Sequence, residues 1–164
     1  MPKTLLIMRH AKSSWKDDTL DDHARPLNKR GQRDAPAMGA LLRAQGLTPD
    51  AILSSTAVRA RETAQAVAEA SGFAGELSQH AGFYDDAPEA YFAALARLPA
   101  AVEVALLVAH NPGCEELLAE LTGEDETFAT ATIAQVLLHL DNWAELSLET
   151  EGGLKAIWRP READ

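Results

Sequence analysis

The chain has 164 residues, 46% of them hydrophobic and 24% charged, which suits one soluble globular domain with one core over residues 1–164. Its formal charge of −10 excludes an extended nucleic-acid surface, because backbone phosphates need clustered Lys and Arg. The single cysteine, Cys114, excludes an intrachain disulfide or a cysteine-built zinc site, and no apolar run nears the ~20 residues of a membrane span. No membrane association is expected. The opening MPKTLLIMRH has too short an apolar stretch for a secretory signal, so the chain is expected to be cytoplasmic.

Thr4 to Met8 is an unbroken apolar run that stops at Arg9-His10, the pattern of a buried strand with polar groups at its end. Residues 11–26 are polar and read as a surface loop. Asn28 caps a helix to about Ala44, with apolar positions at Ala35, Met38, Leu41 and Leu42 and Gly46 as terminator. Pro36 inside it predicts a kink or a late start. Ala51 to Leu53 is a short strand running into Ser54-Ser55, followed by an Ala-rich helix from Ala57 to Ala70 that ends near Gly72.

A weak strand around Leu77 leads to the loop Phe83-Tyr84-Asp85-Asp86-Ala87. Pro88 then opens a helix with Tyr91, Phe92, Leu95 and Leu98 on one face. Val102 to Ala109 is the longest β-like run and ends in His110-Asn111-Pro112-Gly113, before a helix from Glu115 to Leu121. Ala134 to Leu140 and Leu154 to Trp158 read as two strands pairing antiparallel at a sheet edge, joined by a connection that includes Trp143. Alternation of strands and helices gives an α/β class: a three-layer α/β/α sandwich, its sheet mostly parallel with an antiparallel edge.

Three strands thus end in groups of one chemical kind: Arg9-His10, Ser54-Ser55 with Arg59 a helical turn on, and His110-Asn111. In a parallel sheet these ends lie on one edge, where two imidazoles and two guanidiniums make a local anion site of the sort a phosphate needs. A loose phosphoryl transition state spreads charge over three oxygens, so arginine forks supply the electrostatics and a neutral imidazole can serve as nucleophile.

The same residues carry a resemblance. Leu6-Ile7-Met8-Arg9-His10-Ala11, the stretch from Ser54 to Ala64, and Val108-Ala109-His110-Asn111-Pro112-Gly113 resemble the three signature blocks of the histidine phosphatase superfamily, which has the phosphoglycerate mutase-like fold. Arg25-Pro26-Leu27 followed by Arg30-Gly31 is similar to its SixA-type phosphohistidine phosphatase branch. The resemblance implies that His10 is the phosphorylated nucleophile, Arg9 and Arg59 are phosphate ligands, and His110 is the second histidine of the pocket. Arg25 and Asn111 are further candidates for substrate binding, and Arg25 could instead only cap the following helix. The implied chemistry requires no metal and no cofactor.

Ala11 stands where much of the superfamily has glycine, and the residue is small enough for backbone to pass close to phosphate. Larger members have a glutamate general acid after the third strand; the matching stretch here offers Asp85 or Asp86. A phosphohistidine substrate lessens the need for that acid, because imidazole leaves more readily than an alkoxide. His23, His80 and His139 match no block and are expected in structural or surface roles, Cys114 as a small buried residue at a helix start, and Arg61 as a solvated helix residue. The resulting expectation is a phosphatase acting on a phosphorylated protein or a small phosphorylated molecule. A phosphomutase on a small phosphate ester, a non-catalytic phospho-ligand binding module and a metal-dependent hydrolase are the alternatives.

Overall fold

The computed structural model describes residues 2–85 and 88–160. The strands are β1 (Lys3–Arg9), β2 (Ala51–Ser55), β3 (Leu77–His80), β4 (Val104–Ala109), β5 (Ile133–Leu138) and β6 (Gly152–Trp158). The helices are α1 (Lys29–Ala44), α2 (Val58–Ser71), α3 (Pro88–Ala96) and α4 (Gly113–Thr122). One sheet in the order β3-β2-β4-β1-β5-β6 holds all six strands. The four from β3 to β1 run parallel, while β5 and β6 are antiparallel and form the expected edge. No described helix is long and apolar enough to cross a membrane.

β1 lacks polar alternation because both its faces are buried. Leu6 and Met8 pack with Met38 and Leu42 of α1 and Ala64 and Val67 of α2. Leu5 and Ile7 pack on the opposite face with Tyr91 and Leu95 of α3 and Leu117 and Leu118 of α4. This is the three-layer sandwich. Its connectivity creates the site: β1 feeds α1 on one face while its neighbour β4 feeds α4 on the other, so a crevice opens at the carboxyl ends of the two strands.

Local chemistry explains most boundaries. Asn28 caps α1, its side chain accepting from the Gly31 N–H at 2.9 Å. Gly72 ends α2 in the left-handed region at φ 83°. Three expectations need correction. α1 starts at Lys29 and continues through Pro36, so there is no late start, although the proline cannot donate to the Gln32 carbonyl. β4 begins only at Val104, because the Val102 N–H is used in a turn to Pro99; β1 and β6 are both longer. α4 starts two residues early, since the Cys114 N–H already bonds the His110 carbonyl at 2.8 Å.

Gly31 lets the first turn of α1 lie directly on the chain that leaves β1. A Cβ there would fall 2.1 Å from the Lys12 carbonyl oxygen, which itself accepts from the Asn28 N–H at 3.0 Å. Neither backbone can yield cheaply. Gly31→Ala is therefore expected to lower the unfolding free energy by about 1–3 kcal/mol, read as a reduced urea midpoint at unchanged slope. An unchanged midpoint would contradict this packing.

Candidate active site

The register Arg9↔Ala109 and Ser54↔Val108 brings the ends of β1, β4 and β2 to one level. There a cleft of about 220 Å³ is lined by Arg9, His10, Lys12, Ser13, Trp15, Arg25, Arg59, His110, Asn111 and Thr130. Four of the ten are cationic and none is acidic. In a chain of net charge −10 this is a local positive concavity, which focuses anions.

His10 and His110 face each other with ring centroids 5.1 Å apart. His10 Nδ1 lies 2.7 Å from the Ala11 carbonyl oxygen, which can only accept, so Nδ1 carries the proton and Nε2 keeps its lone pair. The Ala11 N–H donates to Thr63 Oγ1 at 2.9 Å, and that hydroxyl donates to the Arg59 carbonyl at 2.7 Å. α2 thereby braces the peptide that orients the ring. Burial pushes the His10 pKa down to about 3; the Ala11 bond opposes this, and His110, Arg59 and Arg9 reinforce it. His110 is lowered to about 4, chiefly by burial and then by Arg59. Both rings are neutral at pH 7. His110 Nε2 lies 2.8 Å from Ser55 Oγ, and its buried Nδ1 has no hydrogen-bond partner among the described residues.

The arginines are held from outside the cleft. Arg9 Nη1 donates to the Phe128 carbonyl at 2.9 Å, and the same oxygen accepts from Asn111 Nδ2. Glu115 closes that network, accepting from Asn111 Nδ2 and from the Phe128 N–H. Arg59 grips Asp22 at both ends, Nη1 on its carbonyl and Nη2 on its carboxylate at 2.9 Å. Arg25 bonds Asp22 Oδ1, and the Tyr84 hydroxyl donates to Oδ2. Burial raises the Asp22 carboxyl, but the bonds from Tyr84, Arg59 and Arg25 outweigh it and hold the pKa at about 2. Arg9 Nε and Arg59 Nε are buried without a hydrogen-bond partner among the described residues, two more donors that an anion in the cleft could satisfy.

Of the residues picked from sequence, His10, Arg9, Arg59, His110, Arg25 and Asn111 all line this cleft. Asp85 does not: it sits in an exposed turn and is not part of the lining, while the preceding residue, Tyr84, bonds Asp22. Asp86 lies outside the described residues. His80 bonds Ser78, His139 is exposed, Cys114 is buried at the start of α4, and Arg61 is exposed. His23 is nearer the site than its lack of motif suggests, 2.9 Å from Thr56 Oγ1 and edge-on to Tyr84. Ser55, at the end of β2 as the strand-end pattern expects, meets His110, whereas Asp22, Tyr84, Glu115 and Phe128 escape sequence reasoning as site components. Asp22 is hidden in an acidic loop that resembles a solvated face, and Phe128 acts through its carbonyl, which no residue type reveals.

Neutral buried histidines make stability depend on pH. Unfolded histidines bind protons near pH 6.5 but His10 and His110 do not until about 3 and 4, so stability falls as pH drops through that window. The depressed Asp22 loses its stabilisation as pH falls from 3.8 towards 2, which overlaps only the acid end of that window. Urea midpoints should decline between pH 7 and about pH 4.5, and the decline should be shallower in a His10→Gln/His110→Gln variant. Parallel declines in the two proteins would refute the assignment.

Comparison with known proteins agrees with this geometry. The family model of the histidine phosphatase superfamily (branch 1) matches residues 5–85. An uncharacterized protein of Mycobacterium tuberculosis is 36% identical over 150 residues, spanning 85% of this chain and 91% of its own. Two solved structures assigned as the phosphohistidine phosphatase SixA are also similar. The one from Nakamurella multipartitia has TM-score 0.84 and 27% identity, covering 98% of this chain and 97% of that one. The one from Agrobacterium tumefaciens has TM-score 0.81 and 28% identity, covering 98% and 99%. With its three strand-end blocks gathered around one cleft, the chain belongs to the histidine phosphatase superfamily and is of its SixA type.

Proposed function

We propose that this chain is a phosphatase that hydrolyses a phosphorylated substrate, protein phosphohistidine foremost, through a covalent phospho-His10 intermediate and without a metal. The observation that carries the reading is the His10 ring itself: neutral, with Nδ1–H tied to the Ala11 carbonyl and the Nε2 lone pair left in a cleft lined by Arg9, Lys12, Arg25 and Arg59. In the first step Nε2 forms a bond to phosphorus as the bond to the leaving atom breaks, the leaving group taking the electron pair. The imidazole ring gains positive charge, which the Ala11 carbonyl faces. Arg9 and Arg59 neutralise the phosphoryl oxygens. In this reading the Ser55 hydroxyl, 2.8 Å from His110 Nε2, donates to it, and the His110 proton sits on Nδ1, from which it donates to a phosphoryl oxygen. In the second step water attacks phosphorus, the N–P bond breaks with its pair returning to Nε2, and the water's proton leaves with phosphate or solvent.

The leaving group supports a nitrogen-linked substrate. Among the described residues no carboxyl group lines the cleft, and the carboxylate bonded to Arg59 and Arg25, Asp22, is held ionised and cannot serve as an acid at neutral pH. A phosphohistidine whose second ring nitrogen is protonated departs as neutral imidazole, so the breaking bond needs no acid from the protein. An alkyl ester would depart as an alkoxide.

Acid-quenched labelling with a phosphorylated substrate should place acid-labile phosphate on the wild type and none on His10→Ala, whose turnover should fall by at least about a hundredfold. Full turnover in that variant would overturn the intermediate. Turnover should survive exhaustive chelation and be faster on phosphohistidine protein than on a phosphoserine peptide.

A further inference from the structure

Trp15 is 71% exposed, one of the few large apolar side chains left in water among the described residues, and it lines the cleft that holds His10. An indole in that position recovers little transfer energy, so packing does not account for its placement. It is nevertheless held. The Arg25 guanidinium carbon lies 3.5 Å over its ring, a cation–π contact. Arg25 is itself buried and anchored by Ser13 Oγ at 2.8 Å and by Asp22 Oδ1 at 3.1 Å. The loop carrying Trp15 is pinned on the other side by the Ser14 N–H to the Pro26 carbonyl at 2.8 Å. One face of the indole is thus stacked on a fixed cation while most of its surface stays open at the mouth of the cleft.

We propose that Trp15 is a specificity-determining platform that stacks the planar ring of the leaving group, selecting phosphoryl groups borne on an imidazole or aryl ring over those on flexible alkyl chains. The proposal rests on the cleft being the phosphoryl site. Flat rings stack in offset or edge-on geometry at modest energy, and Trp15 makes no bond and moves no proton. Its contribution is to hold the ring while phosphorus meets His10 Nε2. Arg25 has a second role in this arrangement, because the residue that adds positive charge to the cleft also fixes the platform at its rim.

Equilibrium binding of two stable phosphonates tests the platform without turnover. Calorimetry of wild type, Trp15→Leu and Trp15→Phe with phenylphosphonate should show a roughly threefold to tenfold loss of affinity in Trp15→Leu, recovered in large part by Trp15→Phe. Methylphosphonate should bind all three proteins within about twofold, since stacking has nothing to act on. Equal losses for both phosphonates, or no loss for either, would overturn the platform while leaving the phosphoryl site intact. Failure of both phosphonates to bind wild type would overturn the phosphoryl-site reading and the platform with it. Unchanged phosphonate affinities, combined with slower turnover of a phosphorylated protein, would also overturn the platform and make Trp15 a docking contact.

Discussion

The parallel pairing of β1 with β4 is the constraint on which the site depends. These strands are distant in sequence, yet their register sets Arg9 beside Ala109, so His10 and His110 emerge next to each other from adjacent strand ends. The two chains then part, one to α1 and the other to α4 on opposite faces of the sheet. A crevice between diverging connections is a consequence of that topology. A one-residue slip in register would send the side chains of β1 to the wrong cores and separate the two rings.

Electrostatics within the crevice follows from burial. Two imidazoles surrounded by arginines cannot both be protonated at acceptable cost, so they are neutral, which is the state a nitrogen nucleophile needs. The arginines are held by partners that lie mainly outside the lining: Phe128 carbonyl for Arg9, and Asp22 for Arg59 and Arg25. Asp22 unites the loop before α1, α2 and the Tyr84 turn through one carboxylate. Such a group positions side chains without belonging to the cleft.

The loop between β1 and α1 shapes both the rim and the interior. Its Lys12, Ser13, Trp15 and Arg25 line the cleft, and its return is clamped by Gly31 against Lys12 and by Glu62, which accepts from the Leu27 N–H at 2.9 Å. The cleft consequently has an aromatic edge and, among the described residues, no carboxylic acid. Both features suit a phosphoryl group leaving from a flat, weakly basic nitrogen more than one leaving from an alkoxide.

Much of this was legible in the sequence, for local reasons. Strand-end blocks, the Asn28 cap and the Gly72 stop depend on neighbours a few residues away, so the α/β class and the cluster of Arg9, His10, Arg59 and His110 could be read from residue order. The sheet edge was readable from two apolar runs near the C-terminal side of the chain. Pro36 does not delay the start of α1, because tertiary packing of α1 on α2 outweighs one lost helical bond. Only the tertiary structure decided that Asp85 is exposed and off the lining while Tyr84 reaches Asp22, that an acidic loop residue anchors two arginines, and that Trp15 stands at the cleft. Those relations join residues tens of positions apart through side-chain direction and backbone carbonyls, which residue identity and periodicity do not encode.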